Sequence, residues 1–441
     1  MLRLHLGVLL ACSFASACGT IKTREASDAG PDDPDAGAEI GDVTVELDNL
    51  FDDGTTGQPW ADIPVLFFDK DGALVAEETS DDDGVATATV PAGSTVVLVP
   101  PGPEAGERVT LEIFGVQPGD VIRFESLDDS DDGEFLGEMT INVPPLKGEY
   151  TYHAANGCSE SETSDTAITL SFYSECVEDG EFDVVAWVSD ADGGVVDHAV
   201  KHDTFVAMDP SNIAEWQGNK EIDLHFTSVP STASSVRVGA TPVSGSHSFG
   251  TGMLYLTNFD GPELELTALA AKSFGDAIDI ELAYDPSEET LGQQRATYRV
   301  TPDTSSLPLP LDAELLPFYG AAVYDASERR LSWTRTSGAA PDGQYVYINA
   351  EEKSGDRVEV LAVVPPDWTE VTLPELPEEH EDMYPADPEQ LSVAAIGVEV
   401  SDQDGYDIRT IGILPFFYAL TGRPPASAAP SHVKVAIGGG L

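Results

Sequence analysis

His198 and His202 stand four positions apart, flanked by Asp197 and Asp203, a spacing that could hold a metal ion. On a helix the two rings would share one face and reach one ion. Val196, His198, Val200 and His202 alternate, however, which is the period of a strand. On a strand, positions i and i+4 are about 13 Å apart, too far for one metal, so the pair reads as strand histidines. Gly245-Ser246-His247-Ser248-Phe249-Gly250 approaches a nucleophile elbow without the Gly-x-Ser-x-Gly spacing. No His-Glu-x-x-His, P-loop or dinucleotide fingerprint occurs. Carboxylate pairs for glycoside chemistry can be drawn almost anywhere among 79 Asp and Glu, so no single pair is informative. No catalytic residue is predicted.

Three apolar runs end in Asp-x-Asp-Gly: Asp69-Lys70-Asp71-Gly72, Asp190-Ala191-Asp192-Gly193 and Asp402-Gln403-Asp404-Gly405. The sharper chemistry for such carboxylates is calcium, with Asp69, Asp71, Asp190, Asp192, Asp402 and Asp404 as candidate ligands. An EF-hand loop also needs Asp five positions before the glycine and Glu six after it. Phe67, Val188 and Val400 stand at the first of these positions, and only Glu78 meets the second. We read the three as hairpin turns, whose Asp-Gly pair supplies positive φ. Loose calcium binding where turns converge is the alternative, and no other cofactor is expected.

Of four cysteines, Cys158 and Cys176 are expected to form a disulfide. The rival, a metal site, would need further ligands, and only His153 is close in sequence. Trp60, after Gln58-Pro59 in a polar loop, is the candidate for stacking on a ligand such as a sugar ring. Trp187, Trp216, Trp333 and Trp368 read as core anchors.

The elements that must position these residues read as strands. Val43-x-Val45-x-Leu47, Ala86-x-Ala88-x-Val90, Ile168-x-Leu170-x-Phe172 and Ile278-x-Ile280-x-Leu282 alternate with period two, and Gly, Pro and Asp bound them. Residues 264–272 fit either helix or strand, and 209–216 could hold one helical turn after Pro210. The fold class is all-β: tandem immunoglobulin-like or transthyretin-like sandwiches after a signal peptide and an acidic linker. The run 411–420 is about half a membrane span, and the tail 422–441 reads as partly loose.

Residues 1–17 have the basic start, apolar middle and small-x-small end of a secretory signal. Ala15-Ser16-Ala17-Cys18 resembles the lipobox of bacterial lipoproteins, although alanine stands where leucine is usual. The resemblance implies lipidation of Cys18 and an anchor in the outer membrane or at the cell surface. Cleavage before Cys18 without lipidation, giving a secreted protein, is the alternative. Residues 18–42 form an acidic tether with too little apolar surface for a core.

Gly57-x-Pro59, Ile63-Pro64-Val65-Leu66-Phe67 and the turns at Gly72, Gly84 and Pro91-Ala92-Gly93 resemble the carboxypeptidase regulatory-like domain. The resemblance implies a small transthyretin-like sandwich without catalytic residues. Leu331-Ser332-Trp333, Tyr345 to Ile348, Trp368 to Pro377 and Leu391 to Ile396 loosely resemble a fibronectin type III or immunoglobulin-like domain. The expected units are a carboxypeptidase regulatory-like sandwich over residues 43–143, a disulfide-bearing sandwich over 144–240, a third over 241–317, and a fibronectin/immunoglobulin-like one over 318–435.

Net charge bounds the partners. The 441 residues carry 79 acidic and 21 basic side chains, and 79 − 21 gives −58. Such a surface repels phosphate backbones and anionic lipid headgroups, so nucleic acid is not an expected partner. We expect a non-catalytic interaction or scaffold module of the cell envelope. It would meet the membrane through its lipid and a protein or polysaccharide through its surface. A secreted carbohydrate-active enzyme and a calcium-dependent adhesin are the alternatives.

Overall fold

A computed structural model describes residues 39–48, 58–102, 106–124, 134–177, 180–191, 193–205, 210–245, 247–250, 255–400 and 429–439. Strands dominate, and the alternating runs bury one face each. Val43, Val45 and Leu47 point inward along Ile40–Leu47, as do Ala86, Ala88 and Val90 along Val85–Pro91. Among the described residues no helix is long and apolar enough to cross a membrane.

Four sandwich units can be traced. In the first, the sheet Val85–Pro91, Ile40–Leu47, Val121–Phe124 covers the strands Leu74–Thr79, Pro64–Phe68, Ser94–Leu98 and Glu107–Val116. In the second, Glu160–Thr163, Thr151–Ala155, Glu181–Ser189 and Val195–Phe205 form one sheet, and Ala167–Tyr173, Phe135–Asn142 and Ser211–Asn212 the other. The third packs Leu264–Ala271, Asn219–Thr227 and Ser306–Pro310 over Ala233–Ser244, Ala277–Pro286 and Gln294–Val300. In the fourth, Val323–Asp325, Arg330–Ser332 and Glu370–Thr372 cover Gly343–Glu352, Arg357–Val364, Pro388–Val400 and Ser431–Gly439.

The larger sheets of the first, fourth and third units are one sheet of 13 strands. Glu107–Val116 of the first unit runs parallel to Arg357–Val364 of the fourth, in register from Glu107 against Arg357 to Ile113 against Val363. Ser431–Gly439 lies between Pro388–Val400 and Gln294–Val300 and joins the fourth unit to the third. Its neighbours on both sides make it a central strand, so the expectation of a loose tail does not hold for these residues.

This sheet is apolar on both faces where the first and fourth units meet. Val65 and Phe67 enter one core while Leu66 and Phe68 enter the other, and Leu361 and Val363 are likewise split from Val360 and Ala362. Strands buried on both faces read as continuous apolar runs rather than alternation, which is what Val65-Leu66-Phe67-Phe68 and Leu361-Ala362-Val363-Val364 are. Each core therefore draws side chains from units more than 200 positions apart in sequence, such as Val65 and Val363.

Local readings change in four places. Leu264–Ala271 is a strand, paired with Asn219–Thr227. Ser211–Asn212 is a short strand beside Phe135–Asn142, where a helical turn was an option. The pairing of Phe135–Asn142 with Ala167–Tyr173 puts that strand in the second unit, not the first. A boundary at 240 would cut the continuous strand Ala233–Ser244.

Candidate functional site

The acidic turns direct carboxylates at their own backbones. Asp69 Oδ1 accepts hydrogen bonds from the amides of Asp71 and Ala73, both at 2.9 Å, while Asp71 pairs with Lys70 at 2.8 Å. Gly72 closes the turn at φ +80°, with open space where a Cβ would project. Asp190 Oδ1 accepts from Gly194 N at 2.8 Å in the corresponding turn of the second unit. Asp69 and Asp71 thus sit in one hairpin and Asp190 in another. Asp192, Asp402, Asp404 and Cys18 lie outside the described residues.

Trp60 is half-buried against the first core. Its amide donates to Leu47 O at 2.9 Å, and its carbonyl accepts from Ser80 Oγ at 2.7 Å. His198 and His202 both lie on the strand Val195–Phe205. His198 is buried, with Nδ1 2.7 Å from Asn219 Oδ1. Burial lowers its pKa below the ordinary imidazole value, against the opposing effects of Asn219 and Asp197. His202 lies outside, with Nδ1 3.2 Å from Asp183.

The sheet face carrying these histidines is the joint between the second and third units. Trp187 stacks flat on His153, with ring centroids 5.0 Å apart. Trp187, Val185, Ala155 and Val200 meet Phe249, Ala271 and Phe274 of the third unit in one apolar cluster. Gly250 at φ +104° lets its chain pass close to Trp187, because a Cβ there would lie 2.6 Å from the indole ring. His153 is buried beside Ser189, and burial lowers its pKa although Glu162 opposes the shift.

At the edge of this joint Cys158 and Cys176 form the disulfide, with Cα atoms 5.9 Å apart. Closing a loop of this length contributes about 3 kcal/mol in the chain-entropy picture. The structure also brings in a residue that sequence spacing did not offer. His247 Nδ1 lies 3.6 Å from Cys176 Sγ, across 71 positions. Among the described residues, Cys158, Cys176 and His247 are the group of potential metal ligands that converges.

Two buried clusters of polar groups sit where units join. Glu112, on the strand that pairs with the fourth unit, is fully buried and faces the second of the two shared cores. Burial pushes its pKa up to about 8 against a lowering hydrogen bond from the Tyr384 hydroxyl. Lys434 is buried between Glu314 at 2.7 Å and Glu399 at 2.8 Å, and His432 lies 2.9 Å from Glu399. Burial alone would raise Glu399, but the His432 and Lys434 bonds outweigh it and hold the carboxyl below its ordinary value. Both clusters hold elements together inside the molecule.

Among the described residues, a cleft of about 530 Å³ opens at one end of the second unit. Tyr150 offers aromatic surface to it, Tyr152 backs it from the core, and Glu149, Ser164, Asp165 and Thr166 bring polar groups. Trp216 stacks behind Tyr152 at 6.3 Å and donates its indole hydrogen to Pro144 O at 2.9 Å. Tyr152 OH in turn accepts from Leu146 N at 3.0 Å, so the inner ring is held from both ends. Gly148 at φ +145° lies beneath the Tyr150 ring, with room for no Cβ. Aromatic surface beside hydroxyl and carboxylate groups can stack on an apolar ring face and hydrogen-bond its substituents. Tyr150 was not singled out from the sequence, because a tyrosine at the start of a strand looks like a core residue, which Tyr152 is.

No family model matches the chain, and no curated protein matches it. Solved structures with a distant likeness include the Bacillus anthracis TIE protein, at 10% identity and a TM-score of 0.15 over 62% of this chain and 49% of that one. The chain thus spans about half the length of that protein. A tetra-tandem repeat from the extending region of a large adhesion protein aligns at 13% identity and a TM-score of 0.13, over 81% of this chain and 95% of that one. The fimbrial protein FimP from Actonomyces oris aligns at 10% identity and a TM-score of 0.15, over 64% and 99% respectively.

Proposed function

We propose that this chain is a non-catalytic interaction module of a cell surface, a scaffold that holds a recognition cleft away from the envelope. The observation that carries the reading is the 13-stranded sheet. It ties three of the four units into one hydrogen-bonded body with shared cores, the construction of a part that keeps its shape. The acidic segment ahead of the strand Ile40–Leu47 acts as the tether, which is shorter than 18–42 because residues 40–42 pair in the first sheet, and a lipid on Cys18 anchors it in the outer membrane or at the surface. The first unit serves as a carboxypeptidase regulatory-like spacer, and the cleft of Tyr150, Tyr152, Glu149 and Asp165 takes an envelope or exterior polysaccharide.

The test is binding of purified envelope polysaccharide to the full chain and to Tyr150→Ala, with reducing ends assayed in the same samples. Binding by the parent that the variant loses, with no new reducing ends, supports the reading. Release of reducing ends by the parent overturns the non-catalytic assignment, and equal binding by both chains overturns the cleft. Membrane fractionation of Cys18→Ser tests the anchor, which predicts release into the soluble fraction.

A further inference from the structure

We propose that Cys158, Cys176 and His247, with Glu175 beside them, form a redox-gated zinc(II) site that, once the disulfide is reduced, bridges the second and third units. The ligand atoms of Cys158, Cys176 and His247 lie within 4.8 Å of one another. Glu175 Oε1 lies 3.1 Å from Cys158 Sγ.

Two sulfurs and one imidazole nitrogen converge as three ligands of the kind zinc takes in tetrahedral sites, and the fourth position is left to Glu175 after its side chain turns, or to water. Thiolates select zinc over calcium, which prefers six or more oxygens. Zinc–sulfur bonds of about 2.3 Å require the sulfurs to part to about 3.7 Å, a side-chain movement that leaves the backbone in place.

The backbone is shaped for the approach. Cys158 lies in the turn after Thr151–Ala155, and Cys176 ends the short turn Ser174–Cys176. Asn156 Oδ1 accepts from the amides of Cys158 and Ser159 at 3.1 and 2.8 Å and holds the first of these turns. His247 comes from the third unit, on a short strand paired with Ala233–Ser244. Gly157 lets it in, because a Cβ there would lie 2.9 Å from His247 Cβ. The disulfide is internal to the second unit, whereas the metal also takes a ligand from the third.

The chemistry balances with a dithiol reductant. It gives two electrons and two protons to the disulfide, leaving two thiols and becoming a cyclic disulfide itself. Zinc(II) then replaces the two thiol protons, which pass to solvent.

The experiment uses the full chain reduced anaerobically with a phosphine, freed of reductant and held in millimolar calcium to occupy oxygen-only sites. Cobalt(II) is the probe. The expected result is one equivalent bound, with the visible bands of a tetrahedral thiolate site, displaced by zinc and absent from the oxidised chain. His247→Ala is expected to weaken zinc binding at least about tenfold. Equal cobalt binding by the reduced and oxidised chains overturns the site, and unchanged affinity in His247→Ala overturns the bridge. If reduction loosens the fold, zinc must restore the strand signal in circular dichroism, and failure to restore it also overturns the proposal.

Discussion

Tyr384 donates its hydroxyl hydrogen to Glu112 across 272 positions of sequence, from the fourth unit into the first. The bond lies inside a core that both units share, so the two ends of the chain are coupled through one buried carboxyl. Glu112 Oε2 has no protein partner among the described residues. A carboxyl with one satisfied oxygen in an apolar core favours its neutral form.

Glu112 gives the molecule a cost that grows with pH. Its folded pKa of about 8 lies above the ordinary 4.5. The unfolded chain therefore loses this proton first, and stability falls as pH rises from about 4.5 to about 8. Glu112→Gln keeps a neutral side chain at every pH. Urea titrations should show the variant gaining on the parent across that window, by on the order of 4 kcal/mol at the upper end. A difference independent of pH would refute this assignment.

His198 acts in the opposite sense at lower pH. Burial depresses its pKa, so the unfolded chain takes up a proton first as pH drops below 6.5. The stability it contributes is present above pH 6.5 and is lost as pH falls toward the folded value. His198→Gln should flatten the acid limb of the stability profile below pH 6.5. An acid limb as steep as the parent's would point to other groups.

Lys434 compensates two carboxylates at the junction of the third and fourth units. Replacing it with methionine takes the ammonium from both Glu314 and Glu399 and leaves Glu399 only its His432 contact, and breaking such a buried pair costs about 3 kcal/mol. Lys434→Met with Glu399→Gln should recover part of the loss, because one of the two charges is gone. The measurement is a double-mutant cycle by denaturant unfolding at neutral pH; additive effects would show that the residues do not interact.

The first unit should not stand alone. Excising residues 39–124 exposes Leu66, Phe68, Val97, Val99 and Phe114, all buried against the fourth unit, together with the edge of Glu107–Val116. An exposed apolar face beside an unpaired strand edge is a site of aggregation. Analytical ultracentrifugation of the excised piece should show association, and a monodisperse, folded monomer would count against the shared core.

Much of the architecture was legible from local pattern. Alternation at Val43, Val45 and Leu47 marks a strand with one wet face, and Asp69 to Gly72 marks a tight hairpin, because both depend on residues within one element. The cysteine pair was legible because 18 positions separate the two and the sequence pattern reads as that of an exported chain. The run Leu361 to Val364 carried a further signal: four apolar residues without alternation require cover on both sides. What covers them was not readable, since the partner strand lies about 250 positions earlier.

The candidate sites divide in the same way. Tyr150 and Tyr152 form part of a cleft only because Ser164 to Thr166 folds alongside them, and His247 nears the cysteines only because the third unit docks on the Trp187 face. By itself the sequence determined that the chain forms strands, where they turn, and how much charge their outer faces carry. The tertiary structure alone decided that the first and last units share a sheet and that a histidine from one unit meets two cysteines of another. The reason is physical: side-chain alternation and turn preference act over a few residues, whereas strand pairing depends on apolar faces whose fit emerges only when distant segments meet.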